Sequence, residues 1–206
     1  MRVLVVGAKG LQDEWTSHGI ADESSVTFHE TLIVTPNHFD GCVDLSFDDD
    51  ADTNARIASL QKLQVPLVIV SSMFGSLDSL PAGFARICGW PTLLQRPVAE
   101  VVGRMEDQGR ITEILQVFNR RPVFCNDLPG FITPRIISMI INEAFLGLDE
   151  QLSSVADIDT AMKLGTNYPY GPFEWASIIG KHKISVLLQH LQKENIRYKP
   201  APGLLL

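Results

Sequence analysis

DLPGFITPRIISMIINEAFLGLDEQLSSVADIDTAMKLGTNYPYGPFEW, residues 127–175, is the stretch that decides the fold. Within it Phe131, Ile132, Ile136, Met139, Ile140, Ala144 and Leu148 recur at three- and four-residue steps, so residues 131–150 are expected to form one amphipathic helix. Pro129 and Gly130 break the chain before it, and Pro134 falls in the first turn, where a missing N–H costs little. Such a helix spans roughly 30 Å, so a body of comparable size must pack on its apolar stripe. Ser154 is placed to N-cap a second helix, with Asp157 three residues on, and that helix is expected to end before Gly165. The Tyr-Pro-Tyr-Gly-Pro knot at 168–172 then turns the chain into further helix, including the apolar run 184–191.

Working outward, the whole chain has 206 residues, 45% of them hydrophobic and 20% charged, enough to bury one large or two small cores. A formal charge of −7 and the lack of a Lys/Arg block argue against non-specific nucleic-acid binding. Cys42, Cys88 and Cys125 are odd in number and have no metal-ligand spacing, which suggests reduced intracellular thiols. Residues 1–8 are apolar but too short for a signal-peptide core, so a strand and a cytoplasmic protein without a membrane span are expected.

The N-terminal half reads as alternating strands and helices. Residues 2–6 form an apolar, Val-rich run that stops at Gly7, as a buried parallel strand feeding a turn does. A dinucleotide fingerprint belongs there, its three glycines serving the tight turn, close approach to pyrophosphate, and helix-on-sheet packing. In Gly7-Ala8-Lys9-Gly10-Leu11-Gln12 only the first glycine falls in place; Lys9 takes the second position and Gln12 the third. The stretch is either a plain strand-to-helix turn or a phosphate site in which Lys9 supplies charge. A second strand, 25–30, ends at Glu30, near where such folds place the acid that holds the ribose hydroxyls, although an acid there is more often merely solvated. Residues 31–41 cross directly to a strand at 43–47. Asp48, Asp49, Asp50 and Asp52 then form the only dense charge run, better read as charge at the N-terminus of helix 53–63 than as a metal site. Further strands are expected at 66–71, 84–88, 98–102 and 122–126, and a helix at 111–119.

The order of motifs resembles a family. Asp127-x-Pro129-Gly130-Phe131, Asn142-Glu143-Ala144, Asp157 to Gly165, and Tyr168-Pro169-x-Gly171-Pro172-Phe173-Glu174 are similar to the C-terminal helical domain of the 3-hydroxyacyl-CoA dehydrogenases. The resemblance implies an α/β Rossmann-like N-terminal domain at 1–125 and a small all-α domain at 126–206. The latter would supply a homodimer interface and close over acyl-CoA, with NAD held by Gly7, Lys9, Gly10 and Glu30. It also places Asp48 near the nicotinamide and Ser72 at the substrate hydroxyl or carbonyl. The long helix pair that the family carries after its second strand, and the tail that commonly follows its Pro-rich passage, are expected to be missing here.

The family's catalytic histidine and its glutamate partner stand twelve residues apart, as Cys88 and Glu100 do, so the resemblance puts Cys88 at the histidine position. The chemistry needs a group that accepts and returns a proton at neutral pH, which imidazole does and a buried thiol does not. By the same resemblance Pro134 replaces an asparagine that holds histidine and substrate. None of His18, His29, His38, His182 and His190 falls in the two strands concerned, and His182, which follows the GPFE turn, is the first alternative base to weigh. Glu100 is expected to have lost the cation it orients. Two functions follow: a 3-hydroxyacyl-CoA dehydrogenase-like protein with weak or absent activity, or a non-catalytic module for acyl-CoA or a partner.

Overall fold

The computed structural model describes residues 1–34 and 38–205; residues 35–37, in the middle of the 31–41 crossing, and residue 206 lie outside the described residues. The chain divides into Met1–Phe131 and Ile132–Leu206. The division falls after Phe131 rather than after residue 125 because the connecting segment is bonded into the first unit. Gly130 donates to the Met73 carbonyl at 2.8 Å, and Asp127 pairs with Arg86.

The first unit runs Val3–Val6 (β1), Lys9–Trp15 (α1), Val26–His29 (β2), Gly41–Asp44 (β3), Thr53–Gln61 (α2), Val68–Ser71 (β4), Phe84–Ile87 (β5), Val98–Val102 (β6), Gln108–Val117 (α3) and Arg121–Phe124 (β7). The strands form one sheet in the order β2-β1-β3-β4-β5-β6-β7, parallel throughout except for β5 against β6. β1, β3, β4 and β5 are buried along their whole length, which is why β1 and β4 read as near-continuous apolar runs instead of alternating ones. On one face Trp15 of α1 and Ile111, Ile114 and Leu115 of α3 cover Val5, Val43, Ile69 and Ile87. On the other, Leu60 of α2 packs with Leu4, Val6, Val70 and Phe84. Between β2 and β3 no helix occurs among the described residues, so the crossover over β1 is unusually short for a parallel connection. The expected strand at 43–47 stops at Asp44, and Phe47–Asp49 instead forms a 3-10 turn.

The second unit comprises Thr133–Asp149 (α4), Val155–Thr166 (α5), Pro172–Ile179 (α6) and Lys181–Gln192 (α7), followed by 3-10 turns at Ile196–Tyr198 and Pro202–Leu204. α4 starts two residues later than its periodicity predicts, because Phe131 takes a left-handed φ of 48°. Its inward face is Ile137, Ile141, Ala144 and Phe145, whereas Ile132 and Ile136 are 49% and 57% exposed. The apolar stripe read from the sequence is therefore only partly the core stripe. α5 runs on to Thr166 and ends at Asn167 with φ 58°, so Gly165 lies inside the helix and an asparagine makes the left-handed cap.

The motifs of this unit act as stitches. Asp159 accepts from the Phe173 amide at 2.8 Å, Glu174 accepts from the Gly171 amide at 2.9 Å, and Lys163 pairs with Glu174, so α5 is tied to the start of α6. Asn142, buried in α4, donates to the Lys199 carbonyl at 3.0 Å and accepts from the Ala201 amide at 2.7 Å, which straps the terminal segment onto the helix.

Candidate functional site

The carboxyl ends of β4 and β5, with the part of β6 that runs antiparallel beside them, gather the residues to which the sequence assigned chemistry. β5 and β6 run antiparallel with Ile87 opposite Val101, so the next residue, Cys88, meets Glu100; its amide donates to the Glu100 carbonyl at 3.0 Å. Both side chains are buried, at 4% exposure each. Burial, and then the Glu100 charge, push the Cys88 thiol up to about 12, so it holds its proton at neutral pH. Cys125, beyond the end of β7, is also raised, first by partial burial and then by Glu100.

Glu100 has not lost its cation, contrary to the expectation from sequence. Arg96, four residues earlier, places its guanidinium 3.2 Å from the Glu100 carboxylate. The strand supplies the glutamate and the loop entering that strand supplies the arginine, so the pair forms locally and needs no histidine. Arg96 is in turn fixed by donating to the Leu93 carbonyl at 3.2 Å.

Ser72 follows β4, and because Ser71 pairs with Ile87 the register sets Ser72 next to Cys88. Ser72 contributes its backbone to the network: its carbonyl accepts from Arg86 Nε at 3.1 Å and from a terminal guanidinium nitrogen at 3.0 Å. Arg86 is wholly buried, pairs with Asp127 and lies over the Phe131 ring at 5.1 Å. Burial lowers its pKa from the ordinary arginine range, and Asp127 opposes that shift. The sequence reading missed Arg86, although a lone charge inside the apolar strand FARIC was a visible signal. Asp48 accepts from the Met73 amide at 2.6 Å, which anchors the loop after Ser72. Beside Ser72 a cavity of about 310 Å³ opens, lined by Asp48, Thr53, Asn54, Ser72 and Ser79 together with Phe47, Ile57 and Phe74.

The residues expected to hold a dinucleotide lie at the ends of β1 and β2. Gly7 has φ 152°, and a Cβ there would stand 3.0 Å from that of Leu45, so the glycine serves the tight turn. A Cβ on Gly10 would meet nothing within 4 Å. Lys9 points outward and bridges to Asp13 at 2.7 Å, and Glu30 is exposed just past β2. Gln12 is buried and donates to the Gly7 carbonyl at 2.6 Å and the His29 carbonyl at 3.0 Å. A side chain at the second glycine position and a buried amide across the two strand ends do not fit a dinucleotide in the orthodox pose.

A doubly covered, mostly parallel sheet followed by a helical unit defines a relative of the two-domain, Rossmann-type oxidoreductases. Residues 130–205 match the family model of the 3-hydroxyacyl-CoA dehydrogenase C-terminal domain. The chain is 34% identical over 141 residues, 68% of its length, to the 3-hydroxyadipyl-CoA dehydrogenase of Escherichia coli K12, and the match covers 26% of that protein. It is likewise 34% identical over 94 residues, 45% of the chain, to a probable 3-hydroxybutyryl-CoA dehydrogenase of Deinococcus radiodurans, covering 34% of it. The matched stretch thus spans between 26% and 38% of the length of such curated relatives. The crystal structure of (S)-3-hydroxybutyryl-CoA dehydrogenase PaaH1 from Ralstonia eutropha shares the fold with a TM-score of 0.77 at 17% identity, over 99% of this chain and 92% of that one. The chain belongs to the 3-hydroxyacyl-CoA dehydrogenase family.

Proposed function

We propose that this is a 3-hydroxyacyl-CoA dehydrogenase-like protein of acyl-CoA metabolism whose dehydrogenase activity is weak or absent. The observation that carries the reading is Cys88 beside Glu100, a buried thiol whose pKa of about 12 keeps it protonated where the family's reaction needs a proton acceptor near neutrality. The Glu100 carboxylate is engaged by the Arg96 guanidinium at 3.2 Å. Proline at 134 offers no side-chain hydrogen bond to a substrate.

The decisive assay is NADH oxidation with acetoacetyl-CoA by the full chain. Turnover at an ordinary enzyme rate, abolished by Glu100→Gln, would overturn the reading and send the search for a base to His182.

The second reading is a binding module, and the cavity beside Ser72 favours it. Its mixed wall of Ser72, Asn54 and Thr53 with Phe47 and Phe74 suits the acyl end of a thioester better than its phosphates, since Asp48 also lines the space. In either reading the protein works as a homodimer through its helical unit, in the cytoplasm, where reduced thiols persist; among the described residues no helix is long and apolar enough to cross a membrane.

A further inference from the structure

We infer that Gln12 closes the nucleotide crevice of the sheet, so that the turn after β1 binds no dinucleotide. In a dinucleotide-binding unit the phosphates sit at the β1 turn and an acid past β2 holds the ribose, so the nucleoside must lie across the carboxyl ends of both strands. The third glycine of the fingerprint exists to bring the helix close to the sheet without a side chain between them. Here that position carries Gln12, only 4% exposed, with its amide donating to one carbonyl on each strand end, Gly7 at 2.6 Å and His29 at 3.0 Å. The His29 carbonyl also accepts from the Gly7 amide at 3.0 Å, so the two strand ends are joined twice at the point where the ligand would cross.

Both N–H groups of the Gln12 amide are spent on these bonds, and a ligand entering the crevice would have to break them and expel a buried side chain. The helix that follows does not compensate, since α1 has seven residues and its Lys9 is bridged to Asp13 in solvent. Glu30, at the far side of the crevice, is left with no ribose to hold. The closure is independent of Cys88, which concerns the proton and not the cofactor.

The test is a fluorescence titration of NADH with the full chain and no acyl-CoA present, which separates cofactor binding from turnover. The native protein should give no saturable enhancement, and saturable binding by it would overturn the inference. A Lys9→Gly/Gln12→Gly variant should give saturable enhancement at NADH concentrations at least about tenfold below the highest at which the native protein stays silent, and adding Glu30→Gln should remove most of the gain. A variant that keeps its helical circular dichroism yet stays silent would sink the assignment to Gln12. Because two glycines weaken a short helix, Gln12→Ala serves as the second variant: it retains helix propensity, clears the crevice, and is held to the same two outcomes.

Discussion

Cys88 and Glu100 stand opposite each other across the antiparallel β5–β6 pair, the Cys88 amide donating to the Glu100 carbonyl at 3.0 Å. The strand pairing to which the family resemblance assigns a histidine and its glutamate is thus in place, and here it holds a buried thiol and a carboxylate that pairs with Arg96. Scaffold and chemistry are separable here, since a β-ladder depends on backbone register and tolerates the exchange of one buried side chain for another of moderate size.

If the proposed loss of activity holds, a single histidine substitution should not produce the reaction. In Cys88→His the imidazole would meet a carboxylate already paired with Arg96, and position 134 would still lack a hydrogen-bonding side chain. Groups that act as a unit lose their effect together. The variant is expected to reduce acetoacetyl-CoA at under about one hundredth of an ordinary dehydrogenase rate, a factor typical of a missing acid-base step. A rate within tenfold of ordinary would show that histidine alone was wanting.

The buried thiol also predicts a pH dependence of stability. The folded state holds Cys88 at about 12, whereas an unfolded cysteine titrates near ~8.5. Since the folded pKa is the higher, the stabilising contribution is complete below pH ~8.5 and is lost as the pH climbs toward 12, because the unfolded chain sheds its proton first. Each pH unit in that window costs about 1.4 kcal/mol for this group. Urea midpoints measured from pH 7 to 10.5 should fall more steeply for the native chain than for Cys88→Ala; parallel curves would mean that the thiol is not sequestered. Cys42, also buried and also pushed up, supplies a share common to both proteins.

Arg86 and Asp127 predict an asymmetry between two substitutions. Asp127→Ala leaves a fully buried guanidinium without its carboxylate and strips the Leu77 amide of its acceptor at 2.7 Å, a loss of about 3–5 kcal/mol. Arg86→Met keeps a flexible stem over Phe131 and removes the buried charge outright, so it should cost less despite deleting more hydrogen bonds. Chemical denaturation of the two variants decides the order, and an equal or reversed cost would show that Arg86 is hydrated.

Much of this architecture was legible in the sequence because it rests on local pattern. The Val-rich runs at β1 and β4 and the Ser154 cap declare themselves through hydropathy and hydrogen-bonding chemistry within a few residues. What stayed hidden depends on contacts between distant positions. Nothing near Gln12 announces that its amide reaches His29, and Arg86 finds Asp127 forty-one residues away. The Arg96–Glu100 pair is local, but it joins a loop to a strand, where a four-residue spacing has no regular periodicity to mark the two side chains as neighbours. The stripe of α4 misled for a different reason: its apolar residues wrap more than one face, and periodicity alone does not say which face meets the core.

That second face carries the last prediction, the homodimer. Ile137, Ile141 and Phe145 fill the interior of the helical unit, while Ile132 and Ile136 stay 49% and 57% exposed, with the half-buried Met139 and Ile140 continuing the ridge. An apolar ridge at helical spacing left in water invites a partner, and a second copy brings a matching ridge through two-fold symmetry. Sedimentation equilibrium at micromolar concentration should therefore give twice the chain mass. Ile136→Asp is the discriminating variant. Because the side chain is largely outside the core, its effect on the fold of one chain should stay within about 0.5 kcal/mol, and the circular dichroism should be unchanged. Two carboxylates brought together on an apolar contact should nevertheless dissociate the dimer. A native monomer, or an Ile136→Asp protein that remains dimeric, would place any self-association elsewhere than on this face of α4.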